Sequence, residues 1–290
     1  TVTVFQGVQR RPTVLSYDHL VIALGSGSDL SRTPGLNEHA FTMKSLSDAR
    51  RLRAHVIERL EHANITRLPE VKKGALTFTV IGGGFSGIET VGEIKELIDR
   101  SLCYYPNIET SEIRVVVLEF SDRVLNEMPE SLAVYAQKNL TERGIEIQLG
   151  VGVAKCTGTQ LVTTANEIID TRTIVATIGN APSLAISKMP LPFQHGRIRV
   201  ERNFRVQGYQ NIWSIGDCAL IPMKEGASHR DEFAPPTAQF AVREAKHIAL
   251  NIKASISNQP LREFKYTSKG SLASLGAGRG VAEVFGIKLT

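Results

Sequence analysis

Residues 77–89 read TFTVIGGGFSGIE, a β-rich run that ends in closely spaced glycines and passes at once into an amphipathic helical pattern. In this strand–turn–helix setting, G-x-G-x-x-G indicates a dinucleotide site. Gly82 permits a tight turn, Gly84 lets the backbone approach a pyrophosphate, and Gly87 lets the helix pack closely on the strand. The helix N-terminus offers N–H groups and positive dipole to the anion. For the bare motif, an ordinary glycine-rich turn is the alternative.

The next predicted strand supports the dinucleotide interpretation. Residues 113–119 read IRVVVLE, which is typical of a buried parallel strand and ends in Glu119. An acid at this point can accept hydrogen bonds from a ribose diol and repel a 2′-phosphate, which favours NAD over NADP. Its separation from Gly82 exceeds the usual ~20 residues, and we attribute the excess to a loop insertion around residues 104–107. The alternative for Glu119 is a solvated acid, and nearby Arg123 could weaken the preference for NAD.

Composition limits the class of protein. A chain of 290 residues, 42% hydrophobic and 22% charged, has the size of two domains and the composition of a globular α/β protein. The net charge of +5 is scattered, so no dense basic run indicates nucleic acid, although a basic face could meet an anionic membrane. The three cysteines form no C-x-x-C pair, which predicts reduced thiols and no redox-active dithiol. No metal-ligand spacing and no nucleophile set is apparent.

Other patterns predict the remaining elements. A helical stripe begins with the capping pair Ser45 and Asp48. The predicted helices cover residues 45–63, 130–142 and 237–251. Strands are predicted within residues 2–5, 13–15, 145–149, 174–179 and 211–219, with a meander up to about residue 168, and residues 17–26 read as a buried strand that runs into a small-residue turn.

Several stretches, in this order, resemble the pyridine nucleotide–disulfide oxidoreductases, which are two-dinucleotide flavoproteins. Within that superfamily the sequence is most similar to the type II NADH dehydrogenases, or NADH:quinone oxidoreductases. The stretches are YDHLVIALGS at 17–26, residues 34–49, the glycine motif, ATIG at 176–179, IGD at 215–217, APPTAQ at 234–239, and residues 264–276.

The resemblance implies a three-layer α/β fold with two Rossmann-like dinucleotide-binding domains. It assigns parts of the FAD domain to residues 1–72 and 191–274, the NADH domain to residues 73–190, and the start of a C-terminal region to residues 275–290. In this family a first glycine-rich βαβ unit grips FAD, and amphipathic helices on the membrane often close the chain. The sequence aligns between those two parts, so we expect the chain as given to hold little FAD.

The resemblance also implies site residues. It places Glu89 beside the nicotinamide and Gln239 on the electron-acceptor side, as the catalytic pair. Stabilisation of a first-turn acid by the helix dipole is the alternative for Glu89. For Asp217 the alternative is an ordinary Gly-Asp turn. The implied NADH-binding residues are Gly82, Gly83, Gly84, Phe85, Gly87, Glu119, Thr177 and Gly179, and the implied FAD-binding residues are Gly25, Gly216 and Asp217.

The implied activity is FAD-dependent oxidation of NADH, with electrons passed to a quinone at the inner face of the cell membrane. The family's acceptor-side pattern A-Q-x-A-x-Q ends here in Arg243 instead of Gln, which leaves the acceptor open. One alternative is a related flavin reductase with a ferredoxin-like protein or a sulfur compound as acceptor, although the missing redox cysteines argue against disulfide and sulfide chemistry. Another is an NADH-binding module without turnover. A homodimer stays open.

Overall fold

The computed structural model describes residues 1–7 and 9–290, which form seven α-helices, four short 3₁₀ helices and twenty strands. The helices are α1 (Leu36–His39), α2 (Leu46–Ile65), α3 (Pro69–Ala75), α4 (Phe85–Ser101), α5 (Glu130–Glu142), α6 (Leu184–Ser187) and α7 (Ala238–Ile256). The strands are β1 (Val2–Gln6), β2 (Arg11–Leu15), β3 (Leu20–Ile22), β4 (Ser26–Ser28), β5 (Phe41–Thr42), β6 (Thr77–Ile81), β7 (Arg114–Glu119), β8 (Ile145–Leu149), β9 (Val153–Cys156), β10 (Gln160–Thr163), β11 (Ile168–Asp170), β12 (Thr173–Ala176), β13 (Asn180–Pro182), β14 (Phe193–Gln194), β15 (Arg197–Arg199), β16 (Ile212–Ser214), β17 (Ala219–Leu220), β18 (Gly270–Gly276), β19 (Arg279–Val284) and β20 (Ile287–Leu289).

The chain forms two compact units, each built from two separate stretches of sequence. The first unit comprises Thr1–Gly27 and Asn180–Ser268, and the second comprises Ser28–Gly179 and Lys269–Thr290. Residues 28–72, assigned to the FAD part by resemblance, lie in the second unit, where β5 pairs with β12 and α2 packs into the core. The assignment of cofactor-binding domains to residue ranges remains a proposal.

The second unit has three layers around a parallel sheet. Its five strands lie in the order β5-β12-β6-β7-β8, and each neighbouring pair is parallel. Helices α2, α4 and α5 cover one face, and the antiparallel strands β9, β10 and β11 belong to the core on the other. Because both faces are covered, β6 and β12 consist entirely of buried residues. The predicted three-layer α/β fold is confirmed.

Helix α2 follows its sequence signals closely. Ser45 Oγ accepts a hydrogen bond from the Asp48 amide at 3.2 Å, and Asp48 Oδ2 accepts one from the Ser45 amide at 2.9 Å. This reciprocal capping box satisfies two backbone donors at the helix start. The predicted stripe faces the core, because Leu52, Val56 and Leu60 are buried. The capping prediction is confirmed.

The last strands of the chain pack on α4 through a glycine. A Cβ placed on Gly92 would lie 2.7 Å from the carbonyl oxygen of Leu275 in β18, so only a bare backbone fits between them. Beside this contact, the Arg143 guanidinium donates to the Leu275 carbonyl and lies 3.3 Å from the Glu96 carboxylate. The antiparallel sheet β18-β19-β20 is therefore held on α4 by close backbone contact and by one largely buried arginine.

The first unit contains a core around Trp213 and Phe204, to which α7 contributes Ile248. Strands β1 and β2 form the predicted antiparallel hairpin, and β3 pairs with β16 in parallel. The strand predicted to run into a small-residue turn within residues 17–26 is β3, and the turn after it contains Gly25 with a φ of +63°. One predicted extent was wrong. The helix expected to end at residue 251 continues to Ile256.

We predict that Gly92→Ala destabilises the second unit by about 1–3 kcal/mol, the usual effect of overpacking a tight contact. In an unconstrained helix the same change would stabilise by about 1 kcal/mol, so the sign of the effect reports the contact with β18. Gly74→Ala is the control, because Gly74 also lies within a helix, α3, and a Cβ there would make an ordinary contact with Arg172 at 3.4 Å. Urea unfolding of both variants would measure the difference, and a stabilised Gly92→Ala variant would contradict the packing.

Candidate functional site

In the glycine-rich turn after β6, two of the glycines, Gly82 and Gly87, lie where a side chain would not fit. Gly82 has a φ of +104°, and a Cβ there would lie 2.8 Å from both Thr177 Oγ1 and Ile178 Cγ2. A Cβ on Gly87 would lie 1.7 Å from the carbonyl oxygen of Gly82. Thr177 Oγ1 also donates to the carbonyl of Ile81 at 2.9 Å. The first turn of α4 is therefore pressed against the end of β6, and Thr177 joins β12 to the same turn.

Gly84, in contrast, faces open space. It precedes the first residue of α4 with a φ of −73°, is exposed, and would carry a Cβ with nothing within 4 Å. No side chain caps this end of α4 in the described parts of the chain. The first N–H groups of a helix have no partner within the helix, so an uncapped N-terminus behind an open backbone suits an anion such as a pyrophosphate.

Glu119 lies at the carboxyl end of β7, next to the glycine turn. Its Oε2 accepts a hydrogen bond from the Gly83 amide at 2.5 Å, and its Oε1 accepts one from the Ser121 amide at 2.7 Å. Each carboxylate oxygen retains a further lone pair, which could accept a hydrogen bond from a ribose hydroxyl. Arg123, in the loop that follows, donates instead to the side chain and carbonyl of Asn126 at 3.3 and 3.1 Å.

The predicted nucleotide-binding residues converge on one edge of the sheet. Gly82 follows β6, Glu119 ends β7, and Thr177 and Gly179 follow β12, which are three neighbouring parallel strands. Gly179 adopts a φ of +76°, and a Cβ there would lie 2.4 Å from the carbonyl oxygen of Asp29. Ligands of open α/β sheets bind outside the carboxyl ends of the strands. The second unit therefore brings this predicted set together.

Glu89 lies in the second turn of α4, not in the first, so the first-turn description was wrong. The stabilising effect of a helix dipole falls off within the first turn, which removes the support for the alternative explanation of this acid. Glu89 Oε1 accepts a hydrogen bond from the Ser274 amide of β18 at 3.2 Å. The side chain also lines a cavity of about 630 Å³ between α2 and α4, whose walls include Met43, Leu52, Val56, Ile94 and Leu97.

In the first unit, Gly25 and Gly216 each follow one of the paired parallel strands β3 and β16. Both have positive φ, +63° and +71°, and a Cβ on Gly25 would meet nothing within 4 Å. Ser26 Oγ donates to Asp217 Oδ2 at 3.2 Å, which links the two turns. The predicted FAD-binding residues thus also lie together at the carboxyl ends of neighbouring strands.

A buried carboxylate supports the Gly216–Asp217 turn, and sequence reasoning missed it. Glu244 of α7 is 2% exposed, and its Oε2 accepts a hydrogen bond from the Gly216 amide at 2.8 Å. Burial raises the pKa of Glu244, and the nearby Asp217 charge adds to that, while the Gly216 hydrogen bond and Arg197 act in the opposite direction. The sequence did contain a signal for this burial. Position 244 is four residues from both 240 and 248, so it lies on the same buried face of α7.

Gln239 lies at the start of α7, in contact with an aromatic residue. Its Oε1 accepts a hydrogen bond from the Tyr266 hydroxyl at 2.8 Å. The Arg243 guanidinium lies 5.3 Å from the centroid of the Tyr266 ring. It also donates a hydrogen bond to the main-chain carbonyl of Gln239 at 3.3 Å. Arg243 thus makes a cation–π contact that glutamine could not make. This gives the departure from the A-Q-x-A-x-Q pattern a structural role.

The described residues were also compared with the requirements of a metal site, a thiol centre and a membrane span. Within residues 1–7 and 9–290, no three His, Cys, Asp or Glu side chains are grouped as ligands of one metal ion. Cys103 is exposed, Cys156 and Cys218 are buried, and all three are free thiols. None of the described helices is both long enough and apolar enough to span a bilayer.

The turn, the uncapped helix and the strand-end acid define a dinucleotide-binding α/β protein of the Rossmann type. Residues 1–245 match the family model described as pyridine nucleotide-disulphide oxidoreductase. The chain belongs to this family of enzymes, as the sequence predicted.

Curated relatives and solved structures agree with this assignment. The chain is 31% identical over 277 residues to the type II NADH:quinone oxidoreductase of Staphylococcus epidermidis, covering 94% of this chain and 67% of the relative. It is 29% identical over 283 residues to that of Staphylococcus aureus, covering 96% and 68%. The NDH2 structure of Plasmodium falciparum in complex with NADH has a similar fold, with a TM-score of 0.87 at 21% identity over 97% of this chain and 72% of that one.

We predict that Gly84→Val abolishes most nucleotide binding while the protein stays folded. The open space around the Cβ accommodates valine in the free protein, but the side chain occupies the region that phosphate oxygens must enter. Loss of charge-assisted hydrogen bonds should weaken NADH binding by about tenfold or more. Calorimetry would measure it, with Gly27→Val as the matched control in another open position. Unchanged affinity in folded Gly84→Val protein would place the site elsewhere.

Proposed function

We propose that the chain is the catalytic part of an FAD-dependent oxidoreductase that oxidises NADH and passes the electrons to a quinone. The observation that carries the proposal is the Glu119 carboxylate, hydrogen-bonded to the Gly83 amide beside the open backbone of Gly84. This arrangement offers one group for a ribose diol and another for a pyrophosphate, which are neighbouring polar parts of the ADP half of NADH. The family assignment and the names of the curated relatives support the same activity.

The residues of the second unit fit NADH. The α4 N-terminus would bind the pyrophosphate at Gly83, Gly84 and Phe85, and Glu119 would orient the adenosine ribose. Gly82 and Gly87 would allow the helix its close approach, and Thr177 and Gly179 would form the neighbouring wall at the end of β12. Binding at several fixed points orients the reacting ring, and this positioning is the main contribution of the protein in cofactor enzymes.

The residues of the first unit fit the ribityl side of FAD. Asp217 has a carboxylate held by Ser26, and Gly25 presents open backbone at the end of the neighbouring strand. The Asp217 carboxylate is half-buried and lies next to two glycines with positive φ. Such a carboxylate can accept hydrogen bonds from the hydroxyl groups of a ribityl chain. We propose that Gly25, Gly216 and Asp217 bind FAD, with Glu244 holding the Gly216 amide from behind.

The chemistry that the bound cofactors supply is transfer of a hydride from nicotinamide C4 to flavin N5. The protein contributes orientation. Glu89 is fixed by the Ser274 amide and faces the cavity between α2 and α4, so its carboxylate keeps one direction along the helix surface. We propose that Glu89 orients the nicotinamide end of the nucleotide.

The acceptor side is proposed at Gln239. The Tyr266 hydroxyl holds the side-chain carbonyl of Gln239, and Arg243 stacks over the same tyrosine ring. A hydrogen-bonding amide next to an aromatic ring suits a quinone head group, which has both carbonyl oxygens and a flat ring. Quinones reside in the bilayer, so we also propose peripheral contact with the inner face of the cell membrane.

We predict that the chain binds NADH more tightly than NADPH and that Glu119→Gln narrows this difference by about tenfold, because the 2′-phosphate then faces no like charge. Glutamine keeps the size of the side chain and one oxygen that can accept from Gly83. Glu142→Gln, which neutralises an exposed acid at the end of α5, is the matched control. Calorimetry with both nucleotides measures the ratio. Equal affinities in the unmodified chain would exclude the assignment of Glu119.

Turnover tests the proposed activity. The chain with excess FAD is expected to oxidise NADH, followed by its absorbance, when a short-chain quinone is present. Ferricyanide serves as a general acceptor. A ferredoxin and a polysulfide are tested separately as the alternative acceptors. Faster reaction with ferredoxin or polysulfide than with quinone would favour the related reductase. Tight NADH binding without turnover by any acceptor, in protein whose absorbance shows bound flavin, would favour the NADH-binding module and overturn the proposed enzyme.

A further inference from the structure

Residues 215–219, which we call the flavin turn, pack against the first half of helix α7. A Cβ placed on Gly216 would lie 3.9 Å from Ala241 Cβ, an ordinary van der Waals distance, so the backbone of the turn lies close to the helix. Cys218 and Ala219 are buried in the same core as Phe240 of α7. Apolar burial is not directional, so the polar contacts at the two ends of the turn decide how it sits on the helix.

At its first end, the flavin turn is held by Glu244 of α7. The Glu244 residue is 2% exposed, and its Oε2 accepts a hydrogen bond from the Gly216 amide at 2.8 Å. Hydrogen bonds to ionised groups are stronger than neutral ones, and a buried donor left without its acceptor is costly. The helix therefore fixes the Gly216 amide, directly before the proposed ligand-binding residue Asp217.

At its other end, the flavin turn is held by Arg197 of β15. Arg197 Nε donates to the Ala219 carbonyl at 2.8 Å, and Arg197 Nη2 donates to the Ala234 carbonyl at 3.0 Å. Ala234 belongs to the segment that leads into Thr237, the N-cap residue of α7. The rigid guanidinium fork suits two carbonyls in fixed positions. One arginine thereby joins the end of the turn to the segment that starts the helix.

The two side chains that hold the flavin turn carry opposite charges. Burial raises the pKa of Glu244, while the Gly216 hydrogen bond and the Arg197 charge act in the opposite direction. Arg197 thus favours the ionised carboxylate, which is the form that accepts the stronger hydrogen bond from the Gly216 amide. Loss of either side chain is therefore expected to weaken both attachments of the turn.

We propose that Glu244 and Arg197 are positioning residues that fix the flavin turn relative to the acceptor side of α7. This inference rests on the proposed function, in which the turn binds FAD and Gln239 faces the quinone. Gln239 lies five residues before Glu244 on the same helix, about 7.5 Å along its axis. The helix is rigid over this distance, so its attachment to the turn also sets the position of Gln239.

The reaction gives this attachment its importance. The quinone takes two electrons and one proton from the reduced flavin and a second proton from water, and this transfer requires a fixed approach of the two rings. A displacement of about 1 Å can lower the rate of such a step by about a hundredfold. The side chains that hold the flavin turn on α7 are therefore expected to control electron transfer to the quinone without contacting either ring.

The test compares a short-chain quinone with ferricyanide, which needs no quinone site. At saturating FAD, Glu244→Ala should lower the ratio of quinone to ferricyanide turnover by about tenfold. Flavin fluorescence should show, independently of turnover, that FAD binds less tightly. Glu244→Gln keeps an oxygen for the Gly216 amide and should restore most of both losses. Arg197→Lys keeps the charge but loses the fork, so it should lower the same ratio.

Ile248→Ala is the matched control, because Ile248 is 4% exposed on the same buried face of α7 and its side chain makes no hydrogen bond to the flavin turn. An equal fall in the ratio for this variant would assign the effect to packing and overturn the inference. An unchanged ratio in Glu244→Ala would overturn it as well, and so would a Glu244→Gln variant no better than Glu244→Ala.

Two further outcomes are also decisive. If Glu244→Ala does not fold, the ratio in Arg197→Lys decides, and an unchanged value there contradicts the inference. If the unmodified chain takes up no FAD, or oxidises no NADH with either acceptor, the proposed function itself fails and the positioning role fails with it.

Discussion

The contact on which the nucleotide site depends is the one between Gly87 of α4 and the carbonyl of Gly82. A Cβ at Gly87 would lie 1.7 Å from that oxygen, so the helix can approach the strand only with a bare backbone. This closeness fixes where α4 begins relative to the end of β6. It leaves Gly84 open, and the Gly83 amide is bonded to Glu119 on the neighbouring strand. One steric constraint thereby positions both the anion-binding and the ribose-binding groups.

A second close approach, at Gly92, organises the opposite part of α4. There the helix meets the Leu275 backbone of β18, and Arg143 strengthens the contact from the end of α5. Glu89 lies between the two glycines in sequence, and its carboxylate is held by the Ser274 amide of the same strand. The orientation of this proposed catalytic acid therefore depends on how closely β18 can approach the helix.

Sequence was sufficient for the features that a local pattern encodes. Apolar runs marked β6 and β7, the glycine spacing marked the turn, and Ser45 with Asp48 marked the start of α2. It was insufficient where the partner is distant. The Gly216 amide and Glu244 carry no shared motif, and the Ser274 amide has no side-chain signature at all.

The helical turn of Glu89 was misjudged for another reason. Cap geometry decides where a helix begins, and a glycine can either precede or enter the first turn. The role of Arg243 was hidden in a similar way, because Tyr266 is far along the chain. For both Glu89 and Arg243 the sequence drew attention to the right residue. It could not reveal the neighbouring groups, because those are brought there by tertiary packing.

The order of the two units along the chain has a consequence for biosynthesis. Strands β18 to β20 complete the layer on α4, although a stretch of the other unit, Asn180–Ser268, is made between them and β12. The first unit is divided in the same way. Its first stretch, Thr1–Gly27, can complete its fold only after Asn180–Ser268 has been made. Domains normally fold in turn as they leave the ribosome, yet here the second unit cannot close until Lys269–Thr290 has been made, after most of the first unit. Contacts between stretches so far apart in sequence slow folding, and they leave apolar surface of the second unit exposed for longer.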